Sequence, residues 1–252
     1  MLGHGEPIRV RQGERVLFRL LNASASMGIS LALAGHRFTV VALDGNPVPT
    51  PATADVLKLD VAERARRHRR DEQPRRLGLR IGRRWRPQHG DGRRRRVPRI
   101  AAASRNGLLR RKPIGTTPPS AGAGPLPRRM RPINLKFEKI PGGRGGYNRW
   151  TINGKSWPDT NPLFTVQRGR RYRLVMNNNS GDEHPVHMHR HSFEVTKVGD
   201  KPTSGVMKDT ISMPRYTTAE IDFVADDPGA TFFHCHHQDH MDEGFAGLIT
   251  YA

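Results

Sequence analysis

Apolar and polar residues alternate with a period of two along several short stretches near both ends of the chain. Tyr172, Leu174 and Met176 share one side of such a stretch, as do Phe38, Val40 and Ala42, and Ile221 and Phe223. That period belongs to strands with one buried face, because successive strand side chains point to opposite faces. No window carries a convincing helical period. The two ends also repeat each other. GERVLFRLLNAS (13–24) aligns with GRRYRLVMNNNS (169–180) at a constant offset of 156, and HRFTVVALDG (36–45) aligns with HSFEVTKVGD (191–200) at an offset of 155. Each copy reads as a strand, a polar Asn/Ser turn, and a second strand closed by Gly or Asp. Repeated short strands with turn signals predict an all-β fold of tandem antiparallel Greek-key sandwiches. The second copy has chain enough for a complete sandwich. The first loses its pattern after residue 63 and is expected to be incomplete.

Charge changes this picture in one place. The 252 residues carry 43 Lys+Arg against 23 Asp+Glu, a formal net charge of +20. Residues 1–63 and 132–252 are each neutral, so the whole excess lies in 64–131, which holds 23 basic side chains, 22 of them Arg, and 3 acidic ones. This block has patches of Pro (Pro118, Pro119, Pro125, Pro127), one aromatic residue, Trp85, and no sustained alternation. Such a composition buries too little apolar surface to offset the entropy of ordering it, so the block is expected to be disordered. Three explanations stay open: an arm that binds nucleic acid or another anion, a plain basic linker, or a strand-rich segment translated in a shifted reading frame. The first lacks the aromatic platforms that accompany base recognition. The second is long for a linker. The third fits the abrupt loss of pattern after VLKLDVAER, since GC-rich DNA read out of frame yields Arg, Pro, Gly and Ala. The expected division is therefore 1–63, a truncated sandwich; 64–131, the Arg/Pro-rich segment; and 132–252, a complete sandwich.

Other features narrow the function classes. A single cysteine, Cys235, excludes a disulfide scaffold and multi-cysteine zinc modules. No apolar run approaches the length of a membrane-spanning helix, and the start MLGHGEPIRV has no secretory layout. The compartment stays open.

Eight of the 12 histidines fall in two short windows. HPVHMHRHSF holds His184, His187, His189 and His191, and HCHHQDHMDEGF holds His234, His236, His237 and His240 around Cys235. On a strand, His187 and His189 project to one face, roughly 6.6 Å apart. In His234-Cys235-His236 the two imidazoles share a face and the thiol takes the other, so one short strand can serve two metal centres. Cys235, His240 and His184 together offer one sulfur and two nitrogens, the donor set of a blue-copper electron-transfer site. The weak axial place then falls to Phe245, which cannot coordinate and should raise the reduction potential. The plainer alternatives are zinc or nickel held adventitiously, or a buried thiol with no metal. His191 and His237 read as supporting or surface groups, His36 as structural, and Met188, Met213 and Met241 as packing residues.

These two windows resemble the C-terminal copper motifs of the multicopper oxidases, the family of laccases, ascorbate oxidase and bilirubin oxidase. The family pattern is H-P-x-H-x-H-G-H-x-F followed by H-C-H-x-x-x-H-x-x-x-G and an axial residue. WTINGKSWP and KDTISMP…DFVADDPGATFFHCH are similar to that family's last cupredoxin domain, and PIRVRQGERVLFRLLNAS…GHRFTVVALDGNPV resembles its metal-free middle domain. At offset 155 the ligand positions 184, 187 and 189 become Ile29, Ala32 and Ala34, none of them ligands. The resemblance implies cupredoxin-like sandwiches, copper as cofactor, and a small-molecule reductant and O2 as partners. Independently of the resemblance, the lack of a long apolar run predicts no membrane partner, and the lack of aromatic platforms in the basic block disfavours nucleic acid. Many members of the family are exported. The resemblance assigns His184, Cys235 and His240 to the type 1 copper, His187 to the type 2 copper, and His189, His234 and His236 to the type 3 pair. Electrons would pass along the His234-Cys235-His236 strand, the catalytic element of such an oxidoreductase.

The departures matter as much. The family completes its trinuclear cluster with two further H-x-H motifs, whereas His4, His36, His68 and His89 stand isolated. The chain thus has a full type 1 set and four of the eight cluster histidines, and impaired oxygen reduction is expected. Arg190 replaces the usual Gly and is expected to place a cation beside the cluster. An electron-transfer module using only the type 1 site is the main alternative; a nucleic-acid-binding protein acting through 64–131 is another.

Overall fold

Residues 11, 13–33, 35–70, 79–83, 132–142 and 147–252 are described by the computed structural model. They form two β-sandwiches. The first has a four-stranded sheet in the order β1 (Arg15–Leu21), β6 (Arg64–Arg70), β3 (Phe38–Leu43), β4 (Asn46–Ala54). Facing it is a three-stranded sheet in the order β5 (Val56–Leu59), β2 (Ile29–Leu33), β7 (Leu79–Arg83). Leu31, Leu57, Leu59 and Ala65 form its small core, with Leu20, Ile29, Val40 and Leu43 packed against them.

The second sandwich is larger. Its six-stranded sheet runs β14 (Lys201–Lys208), β13 (Phe193–Val198), β16 (Thr218–Val224), β11 (Arg171–Asn178), β8 (Ile133–Ile140), β9 (Arg149–Ile152). The five-stranded sheet runs β10 (Phe164–Val166), β18 (Ala246–Tyr251), β17 (Thr231–Cys235), β12 (His184–Met188), β15 (Thr210–Met213). One short helix, α1 (Gln238–Asp242), follows β17, and no helix among the described residues is long and apolar enough to cross a membrane. Phe137, Trp150, Leu174, Met176, Phe193, Phe223, Phe233 and Phe245 fill the space between the sheets, each no more than 2% exposed. Aromatic side chains of this size supply most of the apolar area removed from water, which drives the sheets together.

The internal repeat is a repeat of strands. β1 and β11 begin at Arg15 and Arg171, β2 and β12 at Ile29 and His184, and β3 and β13 at Phe38 and Phe193, with the offsets read in the sequence. The boundary expected at 63/64 needs correction. Residues 64–70, assigned above to the basic segment, are β6, which pairs antiparallel with β1 from Arg15↔Arg70 to Leu21↔Arg64 and also pairs with β3. This matches the pairing of β16 with β11 in the other sandwich. Strand pairing uses backbone groups, and Ala65, between Arg64 and Arg66, supplies an inward apolar contact, 1% exposed. Alternation of Arg with Ala does not register as apolar alternation, which is why the strand is hidden in the sequence. β7 likewise pairs with β2. Residues 71–78 and 84–131 of the basic segment lie outside the described residues.

Polar contacts join the sandwiches along the corner between β14 and β15. Lys208, 8% exposed, sets its ammonium 3.1 Å from both Asp44 and Glu63. Ser212 donates to Asp60 at 2.6 Å, and the Gln238 amide donates to the Ala25 carbonyl at 2.9 Å.

Candidate metal centre

The sheet register brings the two histidine windows together. β12 and β17 lie side by side with Val186 opposite Cys235 and His187 opposite His234. The strand period then sends Cys235 to the inner face and its histidine neighbours to the other. β17 ends at Cys235, and the single turn of α1 carries His240 back toward the sulfur. The loop after α1 is tied down by the Trp150 amide on the Glu243 carbonyl (2.9 Å), the Trp157 amide on the Gly244 carbonyl (3.0 Å), and the Cys235 amide on the Phe245 carbonyl (3.1 Å).

Gly244 closes this loop at φ +106°, and an added Cβ would meet the Ser156 Cβ at 2.8 Å and the Trp150 carbonyl at 3.2 Å. Gly244→Ala is therefore expected to destabilise the fold by about 1–3 kcal/mol, from backbone strain and overpacking together. Urea unfolding of the two chains checks this, and equal midpoints would contradict it.

Three donor atoms converge inside the sandwich. The Cys235 sulfur is 3.7 Å from Nδ1 of His184 and 3.7 Å from Nδ1 of His240, and the two nitrogens are 3.1 Å apart. Among the described residues this is the group of three whose donor atoms lie near enough to share an ion. Hydrogen bonding fixes which nitrogen of His184 faces it. The Ser180 hydroxyl donates to Asn178 at 2.7 Å, so it accepts from Nε2 of His184 at 3.0 Å, leaving Nδ1 with its lone pair.

The surroundings are dry and aromatic. Phe245 packs its ring 4.8 Å from that of His184, and Trp150 touches both imidazoles at 4.6 and 4.5 Å. Burial, helped by the charges of His240 and His237, depresses the His184 imidazole from 6.5 to about 2. Burial also brings His240 down to about 4, with His237 acting the same way. It pushes the Cys235 thiol well above its ordinary value. Neutral imidazoles are ready ligands, and a cation would draw the proton off the thiol.

Four of the six remaining histidines of the motifs, His187, His189, His234 and His236, gather on the other side of the strand pair. Ring centroids lie 4.8 Å apart for His187 and His189, 5.1 Å for His187 and His236, and 4.7 Å for His234 and His236. Only one pair meets closely, with Nε2 of His189 3.1 Å from Nε2 of His234. Nδ1 of His234 donates to the Cys235 carbonyl at 2.9 Å, which turns Nε2 toward His189. Burial holds His234 and His236 down to about 4, and lowers His189 as well.

The expectation for Arg190 is corrected. Its backbone does occupy the left-handed region, at φ +64°, but its guanidinium turns outward to Asp227 (3.1 and 2.5 Å) and the Pro228 carbonyl (2.7 Å). His191 is buried and sets Nε2 2.7 Å from the Tyr251 hydroxyl, and His237 lies 3.5 Å from Asp60. Met241 is half-buried on α1, whereas Phe245 is fully buried against the sulfur-bearing site. Ser180, Trp150, Arg64 and Asp209 were not singled out as site residues from sequence. Of these Trp150 and Asp209 stood in stretches carrying a resemblance, and the contacts that each makes require the fold.

A cleft of about 280 Å³ between the sandwiches is lined by Lys58, Asp60, Glu63, Glu183 and Ser212 among others. Glu183 precedes His184, so the cleft borders the three-donor site. Burial pushes Asp60 upward, but the nearby His237 first, and then hydrogen bonds from Ser212 and the Val61 amide, outweigh it and hold Asp60 below its usual value.

Comparison with known proteins agrees with this geometry. Two sequence profiles of the multicopper oxidases, each described as "Multicopper oxidase", match residues 133–252 and 4–66. The chain is similar to the multicopper oxidase MmcO of Mycobacterium tuberculosis, at 30% identity over 269 residues, covering 96% of this chain and 47% of that protein. It thus spans less than half the length of that relative. Among solved structures, a multi-copper oxidase from Pediococcus acidilactici superposes with a TM-score of 0.72 at 21% identity, covering 97% of this chain and 50% of the other. One from Pseudomonas thermotolerans gives 0.67 at 24% identity, covering 97% and 57%. These likenesses place the fold among cupredoxin-like sandwiches, and the family implies copper as the cofactor. The chain belongs to the multicopper oxidase family.

Proposed function

We propose that this chain carries the electron-accepting half of a multicopper oxidase-type reaction, the one-electron oxidation of a small reductant coupled to O2 reduction to water. The observation that carries the reading is the buried triangle of Cys235, His184 and His240, with donor atoms 3.1 to 3.7 Å apart. A sulfur and two imidazoles suit both oxidation states of copper, and the dry cage suits rapid exchange because little around it needs to reorganise. When bound, copper would supply one-electron exchange at this triangle and, at the histidine cluster, the means to reduce O2.

In this reading His184, Cys235 and His240 hold the type 1 ion, and Phe245 fills the axial place without coordinating. Ser180 holds His184 in the required tautomer. His187 serves a type 2 site, and His189, His234 and His236 serve a type 3 pair. Cys235 links the two centres covalently, because His234 and His236 are its immediate neighbours. The small reductant docks in the cleft beside Glu183. The unit that holds the copper spans 132–252, and the other sandwich, built from β1 to β7, is metal-free.

The chain supplies four cluster histidines against the eight of the family pattern, and of these His189 and His234 bring their Nε2 atoms to 3.1 Å. That favours a second reading, a copper protein that takes and gives single electrons at the triangle without reducing O2. Copper-loaded chain supplied with a reductant separates the two in an oxygen electrode. Bleaching of the blue colour with little oxygen consumed is the expected result for this chain alone. Sustained oxygen uptake, with about one O2 consumed per four electrons delivered, would overturn the impaired reading.

A further inference from the structure

We infer that Arg64, from the metal-free sandwich, is a positioning residue for His187: it holds the Asp209 corner whose carbonyl fixes the tautomer and direction of that imidazole. The inference rests on the reading of His187 as a ligand.

Nδ1 of His187 lies 2.7 Å from the Asp209 carbonyl and 3.1 Å from the Thr210 hydroxyl. The carbonyl can only accept. The hydroxyl spends its own hydrogen on the Asp209 carboxylate at 2.9 Å, so it too can only accept from His187. Nδ1 therefore carries the hydrogen, and Nε2 keeps a bare lone pair on the side of His189, His234 and His236. A partner on the far nitrogen commonly sets the aim of a ligating imidazole, and here that partner is backbone.

The carbonyl is itself held. Asp209 is the single residue between β14 and β15, where the chain passes from the six-stranded sheet to the five-stranded one. Its carbonyl also accepts from the Met188 amide at 3.2 Å. Its carboxylate is gripped by both terminal nitrogens of Arg64, at 3.2 Å on one side and by a short contact on the other. The planar fork of an arginine fits a carboxylate in one orientation, so it fixes an angle as well as a distance.

Arg64 is anchored in turn by the first sandwich. Its amide donates to the Asp44 carboxylate at 2.9 Å, and its guanidinium donates to the carbonyls of Asp44 (3.1 Å) and Ala62 (3.3 Å). Asp44 starts the two-residue Asp-Gly turn between β3 and β4 at φ +45°, a conformation Asp tolerates. Its carboxylate also accepts from the Thr210 amide at 3.3 Å and pairs with Lys208. The guanidinium thus sits in a rigid socket that reaches from one sandwich to the back of a histidine in the other. Without it the Asp209 corner loses its anchor, and the carbonyl is free to draw away from Nδ1 of His187, so neither the hydrogen on that nitrogen nor the direction of the ring stays fixed.

The test uses the metal-free full chain labelled with 15N at histidine, read by long-range proton–nitrogen correlation spectra, and then zinc as a redox-silent probe. Wild type is expected to give His187 as a single tautomer with hydrogen on Nδ1. In Arg64→Met the resonance is expected to move toward a mixture, and zinc affinity at the histidine cluster to fall about 10- to 100-fold. Arg64→Lys should restore only part of both, because an ammonium lacks the fork. Asp209→Asn keeps the backbone carbonyl but loses the ion pair, and should repeat the Arg64→Met result even if that variant does not fold. An unchanged His187 tautomer with zinc affinity within about twofold of wild type would overturn the role of Arg64, leaving it as interface glue. Zinc that leaves the wild-type His187 resonance unmoved would instead overturn the assignment of His187 as a ligand.

Discussion

Cys235→Ser is expected to erase the intense visible absorption of the copper-loaded chain, the band at about 600 nm that comes from charge transfer between a cysteine sulfur and Cu(II). A hydroxyl has no comparable low-energy donor orbital, and two imidazoles without the thiolate form only a pale site. The sulfur is wholly buried and lies 3.7 Å from each ligand nitrogen, so no other side chain can replace it. Serine is close in size and leaves the core packed, though its buried hydroxyl would destabilise the fold by about 1–3 kcal/mol if unpaired. Visible spectra of the copper-loaded variant, beside far-ultraviolet circular dichroism to verify folding, make the comparison. A folded variant that stays blue would mean that the colour, and hence the copper, resides elsewhere.

Acid should unfold the metal-free chain steeply. His184, His234, His236 and His240 are held neutral by burial, down to about 2, 4, 4 and 4, against 6.5 when exposed in the unfolded chain. The unfolded state therefore binds more protons between pH 6.5 and about 4. Their contribution is complete above the unfolded value and is lost as pH falls toward the folded values. Each such histidine lowers stability by up to about 1.4 kcal/mol per pH unit, so the four together reach about 5 kcal/mol per unit near pH 5. A typical domain has about 5–15 kcal/mol in total, so folded signal should vanish between pH 6 and 4. Copper should move the midpoint to lower pH, because ligation also competes with protonation. Circular dichroism against pH, with and without copper, tests both statements. His234→Gln should flatten the metal-free transition by about a quarter, one of the four groups having gone. A metal-free chain that remains folded well below pH 4 would contradict this account of the buried histidines.

Much of the architecture could be read directly from the chain. The offsets of 155 and 156 turned out to be offsets between strand starts, because a repeated apolar alternation is a repeated pattern of buried faces. The separation of Cys235 from its flanking histidines followed from the same period of two. The convergence of Cys235, His240 and His184 was legible because few chemistries require a cysteine, a histidine five residues on, and a distant histidine window together. β6 was not legible, since a run of arginines broken by one alanine carries no apolar rhythm, whereas the ladder it joins is made by backbone groups. The partners of the histidines were hidden for a related reason. Asp209 acts through its carbonyl, which no side-chain pattern reports. Arg64 acts across 145 positions of sequence. The outward turn of Arg190 depended on Asp227, a surface acid with no motif to mark it.

The central claim is that Cys235, His184 and His240 hold one copper ion. Titration of the metal-free chain with Cu(II) at neutral pH, followed at about 600 nm, tests it most directly. The account predicts a blue band that grows in proportion to added copper and saturates at about one equivalent per chain. Copper retained tightly by the folded chain with no such band would contradict it.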